Sequence, residues 1–160
     1  LKNVVKKKDI FNVIGIDKDE SKFDKSLPVK FFTSLVSADI FIICVYSSKE
    51  VIEVVNNIDY SNNPLLLIEP TIHPEICREI EEKVVNLNNS FLAYFPHRYN
   101  KNDMFHQIFN QKRVLGPIND KSKKISLDFL SNFMESKNVV PVIRLILPSD
   151  IILVPLYPLL

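Results

Sequence analysis

Two short stretches of this chain are apolar without interruption, and they limit the folds open to it. "DIFIICV" (39–45) and "NPLLLIE" (63–69) carry no charged or amide side chain at their centres. A strand with one wet face alternates apolar and polar residues. An unbroken run of this length, bounded by turn formers, reads as a strand buried on both faces. Each run leads into a helical pattern. After the first, Ser47 or Ser48 caps "SKEVIEVVNNI", with Val51, Ile52, Val54, Val55 and Ile58 at helical spacing. After the second comes "HPEICREIEEKVV", with Pro74 in the first turn and Glu75 near the positive helix end. Strands alternating with helices specify an α/β fold with a mostly parallel sheet.

The remaining segments fit that scheme. "IFNVIGID" is an earlier strand ending at Asp17, "KDESKFDKSLP" a loop with a helical turn, and "VKFF" a short strand. "FLAYF" and "KRVLG" are later strands, "DKSKKISLDFLSNFMES" an amphipathic helix, and "NVVPVIRLIL" a closing strand. "LKNVVKKKD" at the start reads as the last turns of a helix. A chain of 160 residues suits one domain.

Charge and cysteine usage narrow the function. Lys and Arg number 20 against 19 Asp and Glu, so no electrostatic case exists for nucleic acid or an anionic membrane. No apolar run is long enough to span a bilayer and no signal peptide is present, which reads as a cytoplasmic protein. Cys44, inside an apolar run, reads as a buried core thiol. His73, His97 and His106 match no common ligand spacing, so no metal site is expected.

In open α/β sheets ligands bind beyond the carboxyl ends of the strands. Four such ends matter: Asp17, Val45-Tyr46-Ser47, Glu69-Pro70-Thr71, and Pro96-His97-Arg98. An acidic residue at the place of Asp17 accepts hydrogen bonds from an adenosine ribose, with Lys22 within reach of the adenine or a phosphate; equally, Asp17 caps the following turn. The Thr71 hydroxyl suits a water, a ribose or a carboxamide, or simply packs a strand-to-helix turn. A phosphate cradle is missing. It requires a glycine-rich turn before the Asp strand, and the only glycines are Gly15 and Gly116.

Taken together, these pieces resemble the nucleotide-sugar dehydrogenases, the UDP-glucose and GDP-mannose 6-dehydrogenases, and within them most nearly the UDP-N-acetylmannosamine dehydrogenases. "NVIGIDKDESK" resembles the family's second strand with its ribose-binding Asp. "SADIFIICVYSS" looks like its A-D-x-x-x-I-C-V-P-T-P, and "LLLIEPTIHPEICREI" like its E-S-T-x-x-P-G-x-x-R/E. "AYFPHRYNKNDMFHQIFNQKRVLGPI" looks like its A-Y-x-P-E-R-V-x-P-G followed by N-x-R-V-I-G-G. The resemblance spans residues 10 to 145 and rests on the order and spacing of all four pieces.

The resemblance implies a Rossmann-like, doubly wound, mostly parallel sheet lacking its first βα unit. Residues 1–148 would form a partial NAD-binding domain, and 149–160 an apolar, proline-rich tail in place of the family's central helix. NAD-contacting positions fall on Asp17, Lys22, Val45, Ser47 and Thr71, with Thr71 also at the water-orienting position. Arg98 and Tyr99 fall where the nucleotide sugar is held. The family oxidises a sugar alcohol to the acid in two steps, through a cysteine thiohemiacetal, passing two hydrides to NAD.

Departures from the pattern are serious. His97 replaces the family's Glu, Pro70 the Ser of E-S-T, and Tyr46 and Ser48 the two prolines of V-P-T-P. Glu75 and Pro117 each stand where the family has Gly. The family's catalytic Lys, Asn and Cys have no counterpart. The chain therefore reads as a truncated nucleotide-sugar 6-dehydrogenase with little activity alone and weak or absent NAD binding; the alternative is a non-enzymatic assembly module derived from that domain. The implied partners are a nucleotide sugar and either a second copy or a second chain supplying the missing domains. "IILVPLYPLL" is expected to be extended and packed along its own domain or against a second copy.

Overall fold

The computed structural model describes residues 10–96 and 112–142. The opening nine residues, His97, Arg98, Tyr99, His106 and the apolar tail lie outside the described residues.

Among the described residues, seven strands fall into two sheets. β1 (Ile14–Ile16) pairs in parallel with β2 (Lys30–Phe32). β3 (Ile40–Ile43), β4 (Leu65–Ile68), β5 (Phe91–Tyr94), β6 (Arg113–Pro117) and β7 (Val139–Pro141) form the second sheet, in that order. All its neighbouring pairs are parallel except β5–β6, which is antiparallel. The mixed α/β fold with a mostly parallel sheet agrees with the sequence.

Among the described residues, three α-helices cover the second sheet: α1 (Ser48–Asn57), α2 (Pro74–Glu81, continuing into a π-helical turn through Leu87) and α3 (Asp120–Leu130). Each starts where its side chains satisfy the first backbone amides. Ser47 closes a capping box with Glu50, Pro74 opens α2, and the Asn119 side chain accepts from Ser122 N at 2.8 Å.

Alternation along the strands divides the core in two. Phe41, Ile43, Leu66, Ile68 and Leu92 pack with Val51 and Val55 of α1 and with Ile80 and Val84 near α2. Leu65, Leu67, Ala93, Phe95 and Leu115 face the other way, against Phe129 and Leu130 of α3. All four β4 side chains are at most 1% exposed, as an unbroken run predicts. At roughly 1.5–3 kcal/mol per fully buried aliphatic side chain, β4 alone supplies a large share of the apolar driving force.

β3 departs from that rule. Ile42 is 39% exposed and Cys44 is also exposed, so Cys44 is not the buried core thiol its sequence context predicts. The reason is coverage. α3 lies over β4, β5 and β6, and does not extend across β3. β3 is an edge strand with one face packed on α1 and α2 and the other left open beyond Ile40.

Candidate functional site: the carboxyl edge of the sheet

β3, β4 and β5 are parallel and in register, which places Val45, Glu69 and Phe95 along one edge. Glu69 N donates to Ile43 O at 3.1 Å, and Phe95 N to Ile68 O at 2.8 Å. Asp17 joins this edge from β1 through Lys22. The Lys22 ammonium is 3.8 Å from Asp17 Oδ1 and 5.9 Å from the centroid of the Tyr46 ring. Lys18 also ties the loop after β1 to Glu53 of α1. Tyr46 and Thr71 thus follow neighbouring parallel strands, and Asp17 follows β1 of the smaller sheet.

The Asp17 carboxylate serves its own turn as well. Its Oδ1 accepts from Asp19 N at 2.9 Å. Asp19 in turn caps the short 3-10 turn Glu20–Lys22, accepting from Ser21 N at 3.0 Å and Ser21 Oγ at 2.6 Å, bonds that hold its carboxyl below the usual range. Among the described residues no bond reaches Asp17 Oδ2. Tyr46, whose ring lies under Lys22, is 90% exposed. Ser47 is committed elsewhere: its hydroxyl bonds Glu50 Oε2 at 2.8 Å and accepts from Glu50 N at 3.2 Å. Val45 packs against the α1–α2 core. Thr71 is exposed after β4, two residues before His73, whose Nδ1 faces Glu75 N at 3.5 Å.

The tightest constellation at this edge is one that sequence reasoning missed. Because β6 runs antiparallel to β5, its first residue, Arg113, returns to the carboxyl edge. Arg113 is 7% exposed. Its Nη2 donates to Glu69 Oε1 at 2.9 Å and to Phe95 O at 2.6 Å, and its guanidinium lies 3.6 Å from the centroid of the Phe95 ring. Among the described residues Arg113 Nε has no hydrogen-bond partner. The other Glu69 oxygen is 3.7 Å from Cys44 Sγ. Desolvation by the surrounding protein, then the Glu69 carboxylate, push the Cys44 thiol up to about 12, although the residue keeps solvent access. The carboxylate at that distance fixes the direction by itself. A sequence signal existed: a charged residue ending one buried run and another starting a later one are rarely buried unpaired.

The groups present fit one half of a dinucleotide better than the other. Asp17, Lys22 and the Tyr46 ring offer a carboxylate, a cation and a flat apolar face where an adenosine would lie. No pyrophosphate cradle accompanies them among the described residues: Gly15 lies inside β1 and Gly116 inside β6, neither in a turn. An open cleft of about 690 Å³ lies at the opposite ends of β1 and β2, lined by residues including Phe11, Val13, Leu27 and Lys30, and is remote from these groups. Among the described residues no cluster of three or more metal-binding side chains occurs, and no helix is long and apolar enough to cross a membrane.

Comparison with known proteins gives a consistent picture. A UDP-N-acetyl-D-mannosamine dehydrogenase of Methanococcus vannielii is 31% identical over 130 residues, covering 71% of this chain and 29% of that protein. Its namesake from Methanococcus aeolicus is 27% identical over 114 residues, covering 61% of this chain and 26% of that protein. The chain thus spans less than a third of the length of these curated relatives. The solved UDP-N-acetyl-mannosamine dehydrogenase of Staphylococcus aureus superposes with a TM-score of 0.71 at 14% identity, covering 89% of this chain and 44% of its own. A reductive aminase of Aspergillus terreus, solved with a reduced nicotinamide cofactor, cyclohexanone and allyl amine, gives 0.63 at 8% identity, covering 89% and 49%. These last two likenesses bear on the fold. No family model matches the chain.

Proposed function

We propose that the chain acts as a nucleotide-binding module of the nucleotide-sugar dehydrogenase type, holding the adenosine half of NAD and turning over little or no substrate alone. One observation carries this reading: Lys22 lies 3.8 Å from Asp17 Oδ1 and 5.9 Å from the Tyr46 ring centroid, joining the end of β1 to the end of β3, next to which β4 leads to Thr71. In the proposal Asp17 and Lys22 take the adenosine ribose, Val45 and Ser47 border the dinucleotide, and Thr71 stands by the nicotinamide. Arg98 and Tyr99 would meet the nucleotide sugar, with His97 beside them, all outside the described residues. The Ser47 hydroxyl and backbone amide both already donate to Glu50 Oε2, at 2.8 and 2.9 Å.

Low turnover is supported by the thiols. Cys44 is held protonated and Cys77 is buried in α2, so neither is poised as the nucleophile of an oxidation through a thiohemiacetal. Weak binding by the described residues is supported by the lack of a cradle among them, since a glycine-rich turn at a helix N-terminus is what normally holds the pyrophosphate. The test is a calorimetric comparison of NAD with AMP. Without a cradle the two bind within about threefold of each other, both weakly, and Asp17→Asn weakens both. NAD binding at micromolar affinity, far above AMP, would show that another element cradles the phosphates. No binding of either, at millimolar ligand, would remove the nucleotide reading. The second reading, a non-enzymatic assembly module, draws on the exposed Ile16, Phe32 and Ile42.

A further inference from the structure

Cys44, Glu69 and Phe95 each come directly after a strand, β3, β4 and β5 in turn. The register pairs Ile43 with Ile68 and Ile68 with Tyr94, so the three residues form one row just beyond the last paired positions. One carboxylate and one guanidinium join this row. Glu69 Oε1 accepts from Arg113 Nη2 at 2.9 Å, and Glu69 Oε2 accepts from Cys44 Sγ at 3.7 Å. The same Nη2 donates to the Phe95 carbonyl at 2.6 Å. Arg113 opens β6, so the ends of three strands are tied to the start of a fourth.

The backbone supplies little at this place. Among the described residues, the β3–β4 and β4–β5 ladders end with Glu69 N on Ile43 O and Phe95 N on Ile68 O. The β5–β6 junction pairs only Ala93 with Pro117 and Tyr94 with Gly116, and Arg113 lies outside both pairs. Its side chain spans the part of that junction that the backbone leaves unpaired. A buried ion pair often contributes no more stability than apolar residues of the same volume, whereas its hydrogen bonds have a fixed direction and length. The guanidinium, 3.6 Å from the Phe95 ring centroid, is also held in its plane by stacking. The pair is thus better suited to hold geometry than to add stability. From Glu69 the chain runs through Pro70 to Thr71, and from Cys44 through Val45 to Tyr46 and Ser47.

We infer that Glu69 and Arg113 are positioning residues: together they fix the spacing between the segment 45–47 and the segment 69–71, and through that spacing the affinity of this edge for a nucleotide. The affinity half rests on the nucleotide reading proposed above; the spacing half does not. Arg113, 7% exposed, acts from beneath the edge without touching a ligand. Glu69 passes its hold to both segments, by its own backbone toward Thr71 and by its Oε2 toward Cys44. A pair with a merely structural role would lower stability and leave the affinity of the folded protein alone.

The test uses Glu69→Gln, which keeps an acceptor but loses the charge, and Arg113→Lys, which keeps the charge but lacks the planar fork. The control is Val84→Ala, a buried position near α2 in the apolar core, chosen to lower the urea midpoint at least as much. All are read where they are fully folded. Without nucleotide, amide exchange by NMR compares Glu69 and Phe95 with the mid-strand Leu67 and Ala93 of the same strands. The inference predicts that this edge-to-centre ratio rises about fivefold or more in Glu69→Gln and Arg113→Lys and stays within about twofold in Val84→Ala. With AMP as the probe, affinity from amide shifts falls about fivefold or more in the first two and stays within about twofold in the control. An unchanged exchange ratio overturns the spacing. A changed ratio with unchanged AMP affinity, or an equal loss of affinity in Val84→Ala, makes the pair structural and overturns the inference. A parent protein that binds no AMP removes the nucleotide reading and the affinity half with it, and the exchange ratio still decides the spacing.

Discussion

Cutting the Glu69–Arg113 contact tests how the carboxyl edge is held together. Arg113 is 7% exposed and Glu69 23% exposed in its side chain, so the two ends of the pair are not equivalent. Among the described residues, Glu69→Ala leaves a buried guanidinium with Phe95 O and the Phe95 ring alone, Nε having no partner there. Stranding a buried charge costs about 3–5 kcal/mol. Glu69→Gln retains an acceptor and loses only the charge assistance, about 1 kcal/mol. Arg113→Met leaves a carboxylate that water reaches, so its cost is smaller than that of Glu69→Ala, about 1–3 kcal/mol, and the double variant Glu69→Gln/Arg113→Met recovers part of it. Urea unfolding followed by circular dichroism gives these values at constant m. The reasoning is refuted if Glu69→Ala lies within about 1 kcal/mol of the parent, or if Arg113→Met is the more damaging single change.

Cys44 should be alkylated by iodoacetamide at pH 8 more than tenfold more slowly than a free cysteine despite its exposure, and faster in Glu69→Gln, as read by peptide mapping; parent and variant reacting alike would remove Glu69 as a cause. The same raised thiol pKa gives a signed pH effect. The folded form resists losing the proton, so the contribution of Cys44 is intact below its ordinary value of 9.0 and declines as pH rises from there toward about 12, a loss that Cys44→Ser abolishes in alkaline unfolding curves. Ser47→Ala removes the side-chain half of the α1 capping box and should lower stability by about 1 kcal/mol in the same urea assay. Gly116→Ala should be nearly neutral, within about 0.5 kcal/mol, because an added Cβ meets Tyr94 Cβ at 3.6 Å, ordinary contact, on a strand with no left-handed φ.

What was legible in the sequence follows from what is local. The β4 run, the Ser47 cap and the Pro74 helix start are settled by residues within a turn of one another, and each is found where the pattern put it. Asp17 kept two readings, and the structure shows the turn-capping one without removing the other, because a carboxylate has two oxygens. The exposure of Cys44 was not legible. An apolar string states that its residues tolerate burial, and whether a helix lies over each face is decided by α3, more than 75 residues later in the chain. The direction of β6 was likewise hidden, since "KRVLG" reads the same in either sense. With the direction unknown, the meeting of Arg113 with Glu69, 44 residues earlier, could not be foreseen.

The central claim is that the sheet edge at Asp17, Tyr46 and Thr71 receives an adenine nucleotide. An amide NMR titration with NAD tests it most directly. The account predicts fast-exchange shifts confined to residues 17–22, 45–47 and 69–71, with the Asp17→Asn protein showing much smaller ones. Shifts clustering instead around Phe11, Val13, Leu27 and Lys30, or none at saturating NAD, would contradict it.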